Sequence, residues 1–104
     1  MVDPDKDAIA KLGILGLQID SKISAILHHL RKQYGVVVAA KSASAPYSGS
    51  DELREGNVIY AVNSLPVPSV DGLRRAIDDL EPSDPLILQI EREGRLTYLA
   101  LTLE

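Results

Sequence analysis

Leu53-Arg54-Glu55-Gly56-Asn57-Val58-Ile59-Tyr60-Ala61-Val62-Asn63 is the stretch on which the fold turns. Gly56-Asn57 has the chemistry of a turn. Val58 to Val62 is an unbroken apolar run rich in β-branched residues, the pattern of a buried strand. Asn63-Ser64 then predicts a second tight turn. The following Leu65-Pro66-Val67-Pro68 is too proline-rich for a central strand. Upstream, Val36 to Ala40 is another short β-branched run. Between the two strands, residues 41–50 form a loop of small residues with Pro46 and Gly49, leading into one helical turn at Asp51 to Arg54.

Outward from this centre the periodicity alternates between helix and strand. Ser69 is placed to cap a helix whose apolar residues, Val70, Leu73, Ile77 and Leu80, recur at helical spacing. Asp71 near its start suits the helix dipole. Pro82 and Pro85 close it off. Leu86-Leu88-Ile90 and Leu99-Leu101-Leu103 alternate, and Glu93-Gly94 between them predicts a hairpin turn. Nearer the start, Ile23, Ile26, Leu27 and Leu30 predict a first helix over residues 22–33, capped by Asp20 or Ser21 and ended by Gly35.

Ahead of that helix stands Lys11-Leu12-Gly13-Ile14-Leu15-Gly16-Leu17, part of a predicted strand from Leu12 to Ile19. A turn at Gly13 would present successive N–H groups, a nest for an anion, with Lys11 adding a positive charge. A carboxylate held there would lead into a strand edge, the physics of grasping a peptide by its C-terminus. The plainer alternative is a turn before a core strand. Residues 1–10, with four charged side chains between positions 3 and 7, predict a flexible segment, with the folded domain covering residues 11–104.

The chain has 104 residues, 45% of them apolar and 25% charged, enough for one small domain. With no Phe or Trp, its core must be aliphatic. The net charge of −4 and scattered basic residues argue against nucleic-acid binding. The absence of cysteine excludes disulfides, thiolate metal sites and thiol catalysis. No apolar run reaches the length needed to cross a bilayer, and Met1-Val2-Asp3-Pro4-Asp5 lacks the basic-then-apolar start of a signal peptide. A chain that starts near a domain edge and ends in a strand reads as a segment of a longer protein.

Chemistry other than binding finds little support. His28 and His29 are adjacent on a predicted helix, so they point about 100° apart and do not converge on a metal. The serines lie in polar loops without a glycine-framed nucleophile turn. Asp78, Asp79 and Glu81 predict a solvated helix end. No glycine pattern cradles a phosphate. No catalytic residue, metal or cofactor is expected.

Together these elements predict an α+β fold: a small, partly open antiparallel β-barrel of about five to six strands capped by two helices. Their order, from about Lys11 to Leu103, resembles a PDZ domain. Lys11-Leu12-Gly13-Ile14 is similar to the family's carboxylate-binding loop. Leu53 to Asn63 is similar to its leucine-x-x-glycine-aspartate-valine-isoleucine strand and following asparagine turn. Val67 to Leu80 and the Glu93-Gly94 hairpin resemble its groove helix and last strands. Asn57 stands where the family usually has aspartate, and Asp51-Glu52 where it usually has alanine-glycine. The loop apex, Leu-Gly-Ile, resembles bacterial members attached to HtrA/Deg-type serine proteases.

The resemblance implies a non-catalytic module that binds peptides or protein C-termini with aliphatic ends. It implies substrate recognition or regulation for an attached protease domain, in protein quality control within the bacterial cell envelope or periplasm. A PDZ module of a non-protease scaffold or secretion component is the alternative, and a self-contained small hydrolase a more distant one. The implied peptide-binding residues are Lys11, Leu12, Gly13, Ile14, Leu15, Gly16, Leu17, Val70, Arg74 and Ile77. The carboxylate would meet the N–H groups of Gly13, Ile14 and Leu15. Leu12, Ile14 and Ile77 would line the pocket for the last side chain. Val70, Arg74 and Ile77 would face the groove, and Leu73, Ala76 and Leu80 the core. A core position for Val70 and Ile77, and a solvated one for Arg74, stay open.

Overall fold

The computed structural model describes residues 8–9, 12–19, 34–41, 47–49, 53–81 and 84–103. The predicted helix over residues 22–33, His28 and His29 lie outside the described residues. So do Lys11 and Asp51-Glu52.

Eight strands join one antiparallel sheet: β1 (Ala8–Ile9), β2 (Ile14–Gln18), β3 (Val36–Lys41), β4 (Tyr47–Gly49), β5 (Val58–Val62), β6 (Leu65–Pro66), β7 (Pro85–Arg92) and β8 (Arg95–Leu103). Their spatial order is β1-β2-β3-β5-β7-β8-β4, with β6 beside β5. The path does not close on itself, so the fold is a partly open barrel. The five longer strands follow the predicted periodicities. The other three are short, and β1 and β4 arise where no strand is expected.

β5 occupies the centre because it is apolar on both faces. All five of its residues are buried. β7 flanks one edge throughout, while β3 covers Val58 and Ile59 and β6 covers Ala61 and Val62. Ile59 and Val62 face the main core, whereas Val58 and Tyr60 join a second cluster with Ile19, Tyr34 and Val37. Gly35 makes the close approach to β5 feasible. Its φ is +131°, and a Cβ there would lie 2.9 Å from the Ile59 carbonyl oxygen.

The turns follow their residue chemistry. Glu93 and Gly94 both take positive φ (53° and 79°) and join β7 to β8 in a two-residue hairpin. Asn63 and Ser64 do likewise at 47° and 73°, joining β5 to β6. The Asn63 side chain also braces β7: its Oδ1 accepts from the Ile87 N–H at 2.7 Å, and its Nδ2 donates to the Pro85 carbonyl at 3.3 Å.

One helix is present among the described residues, α1 (Val70–Asp78). Ser69 caps it, its Oγ accepting from the Gly72 N–H at 2.9 Å. Val70, Leu73 and Ile77 are buried, and Ala76 and Leu80 pack against the same core. Burying each large aliphatic side chain stabilises the docked helix by about 1.5–3 kcal/mol. The opposite face, with Asp71, Arg75 and Asp78, is exposed.

Candidate functional site

The site is built where the start of β2 faces α1. Helix α1 packs against β2 and β5. Leu12 and Gly13 form the turn entering β2, with Gly13 at φ +64°. The Leu12 N–H donates to the Ile9 carbonyl at 3.0 Å, tightening that turn. Leu12 and Ile14 point inward and join the core cluster that includes Val70, Leu73 and Ile77. The structure therefore places Leu12, Ile14 and Ile77 in one cluster, although Ile77 lies more than sixty positions beyond the other two.

β2 has two edges. β3 takes one, with Ile14 opposite Lys41, Leu15 opposite Ala40 and Gly16 opposite Val38. Between Leu15 and Gly16 the partner steps from Ala40 to Val38, a bulge whose extra residue, Ala39, lies on β3. The other edge carries β1, pairing Ile9 with Ile14 and Ala8 with Leu15. Among the described residues, Gly16 to Gln18 have no partner on that edge.

β1 thus covers the edge along Ile14 and Leu15, and Ala8 and Ile9, at the end of the stretch 1–10 expected to be flexible, form that strand. The physical reason is the apolar triplet Ala8-Ile9-Ala10 at the end of an otherwise polar start. Folding back over a four-residue connection, it buries Ile9 at little loop-closure cost. That triplet was the available sequence signal for β1.

Arg74 lies beside Asp71 one helical turn away, with Nη1 donating to Oδ1 at 3.1 Å. An exposed pair of this kind contributes about 0–1 kcal/mol. Val70 and Ile77 are buried with Leu73, so the division into groove-facing and core-facing helix residues is not a sharp one. In this state Val70 and Ile77 are core, because the cluster closes over them. Leu15 and Leu17 are half-buried and Gly16 is buried.

The turn before β5 is held by Asn57, which is buried. Its Oδ1 accepts from the Arg54 N–H at 2.8 Å and from Arg92 Nη2 at 3.1 Å. A neutral amide thus fills the acceptor role that an aspartate would fill in the family pattern. Beneath β5, the Tyr60 hydroxyl donates to buried Glu91 at 2.7 Å, and the Tyr34 ring meets Tyr60 edge-on at 6.0 Å. No group of metal-ligating side chains occurs among the described residues.

No family model matches the chain. Curated relatives do. It is 33% identical over 93 residues to a probable periplasmic serine endoprotease DegP-like of Chlamydia muridarum, covering 88% of this chain and 18% of the relative. The corresponding Chlamydia trachomatis protein is 36% identical over 93 residues, with the same coverage. A probable serine protease do-like of Buchnera aphidicola is 29% identical over 96 residues. The chain thus spans about a fifth of the length of the relatives it matches. Among solved structures it resembles the PDZ domain of HtrA3, crystallised with a phage-derived ligand. The TM-score is 0.70 at 22% identity, covering 89% of this chain and 84% of the other. The likeness in fold and the span of the sequence matches converge on one segment, the non-catalytic module of such proteases. The chain has the PDZ fold, and its sequence resembles a segment of HtrA/Deg-type serine proteases.

Proposed function

We propose that this domain binds peptides, and protein C-termini with aliphatic ends in particular, by adding them as a strand along β2 opposite β3. The observation that carries this reading is the convergence of the Gly13 turn, the β2 edge and the aliphatic residues Leu12, Ile14 and Ile77 at one place. A carboxylate at the turn would accept from the N–H groups of Gly13, Ile14 and Leu15, each charged bond contributing about 1.5–3 kcal/mol. Lys11 would assist electrostatically. Gly16 and Leu17 would extend the ladder, with Val70 and Arg74 along the helix side. Main-chain bonding supplies affinity with little sequence preference, and the aliphatic pocket supplies selectivity for the last side chain.

The HtrA3 PDZ domain's ligand, FGRWV, ends in valine, which supports an aliphatic preference here. The DegP-like relatives are named as periplasmic serine endoproteases. They support a substrate-recognition or regulatory role beside a protease domain, in protein quality control in the bacterial envelope or periplasm.

A test is titration with a peptide ending in a free C-terminal valine and with its amidated form, following backbone amide shifts. The free acid should bind and shift residues 12–17, and amidation should weaken binding at least tenfold. Equal binding of both forms, with residues 12–17 unmoved, would overturn the reading.

A further inference from the structure

We propose that Ala8–Ile9 is an intrachain stand-in for the ligand, with Ile9 occupying the place of a bound peptide's last side chain. This rests on the peptide-binding reading and adds the site's occupant in the free chain. β2 offers only one edge to an incoming strand, because β3 holds the other. β1 sits on that edge, against Ile14 and Leu15. Those are the first positions a peptide anchored at the Gly13 turn would use.

Direction agrees as well. A peptide with its carboxylate at the turn has its C-terminus at the start of β2, so it must run antiparallel to β2. β1 is antiparallel and runs toward the same turn. Ile9 then falls where the final residue of the peptide would lie, and Ala8 where the one before it would lie.

The side chain completes the match. Directly opposed residues on antiparallel strands project to the same face. Ile14 faces the core, so Ile9 does too, and it is 1% exposed within the cluster that contains Leu12, Ile14 and Ile77. Leu12, Ile14 and Ile77 are themselves only 1%, 4% and 0% exposed with no peptide present. On this proposal the chain's own isoleucine covers their pocket.

Two consequences follow. The ligand must displace β1, which a two-residue strand permits by local opening rather than unfolding. The ligand class is also narrowed: a branched aliphatic end of isoleucine or valine size, preceded by a residue that tolerates the place of Ala8. If the open form makes up about 1–10% of molecules, the apparent affinity is about ten- to a hundredfold weaker than that of an open groove.

The experiment compares the full chain with Ile9→Gly, using a synthetic hexapeptide that ends in Ala-Val with a free carboxylate. Calorimetry should show Ile9→Gly binding the peptide at least about tenfold more tightly, although the variant is less stable. In the unsubstituted chain, saturation with peptide should abolish the cross-strand nuclear Overhauser contacts of Ala8 with Leu15 and Ile9 with Ile14. Unchanged or weaker affinity of a folded variant overturns the proposal. So does persistence of both contacts in the saturated unsubstituted chain, a readout that remains decisive if the variant does not fold. Either result with peptide still bound leaves the peptide-binding reading standing. Failure of the peptide to bind either chain overturns both.

Discussion

Asn57→Ala isolates the contact that holds the turn before the central strand. The Asn57 side chain is 4% exposed, and one oxygen accepts two donors, the Arg54 amide at 2.8 Å and the Arg92 guanidinium at 3.1 Å. The main chain has its own anchors, since Asn57 N–H donates to Arg54 O and Asn57 O accepts from Val38 N–H. Those anchors survive the substitution, so the change reports on the side chain. Losing a neutral bond costs about 0.5–1.5 kcal/mol and losing a bond to a charged group about 1.5–3 kcal/mol. Partial relaxation of Arg54, which is exposed, trims the sum. The expected loss is about 2–3 kcal/mol, or about 10–20 °C in Tm for a domain this size. Asn57→Asp keeps an acceptor for both donors and turns the charge-assisted Arg92 contact into an ion pair, so it should stay within about 1 kcal/mol of the unsubstituted chain. Urea unfolding at constant m-value measures both. An alanine variant within about 0.5 kcal/mol of the parent, or an aspartate variant as unstable as the alanine one, would refute this account of the turn.

Two further substitutions test the packing around β5. Tyr60→Phe removes only the hydroxyl that donates to Glu91 at 2.7 Å, both residues being buried, and should cost about 1.5–3 kcal/mol in urea unfolding; a loss below about 0.5 kcal/mol would contradict the bond's role. Gly35→Ala sets a Cβ 2.9 Å from both the Ile59 carbonyl oxygen and Tyr60 Cδ1 at φ +131°, so strain and overlap together should cost at least about 3 kcal/mol. Gly56→Ala is the control: its φ is +90° but nothing lies within 4 Å, so only strain remains, about 1–2 kcal/mol, and equal losses at the two glycines would refute the steric account.

Ile77 shows how burial revises a functional expectation. From the groove-facing place that the family resemblance implies, a charged residue there would be expected to weaken peptide binding while sparing the fold. Ile77 is fully buried in the cluster with Leu12 and Ile14. Ile77→Lys therefore removes packing and introduces an unpaired charge, and destabilisation accompanies any loss of binding. The wall of the proposed pocket is here part of the core.

The sequence by itself determined the local elements and the family likeness. Five strands, the Ser69-capped helix and the turns at Asn63-Ser64 and Glu93-Gly94 are legible because period, capping chemistry and tolerance of positive φ act over a few neighbouring residues. Only the tertiary structure decided who meets whom. That Asn57 takes a bond from Arg92, thirty-five positions away, depends on the β5–β7 register, which no local pattern encodes. That Ile9 closes the β2 edge depends on a two-residue pairing too short to leave a period, in a stretch whose polarity reads as loose. Side-chain periodicity specifies which face of a strand is buried. It does not specify which edge is paired, because edge pairing uses the main chain, which is the same at every residue.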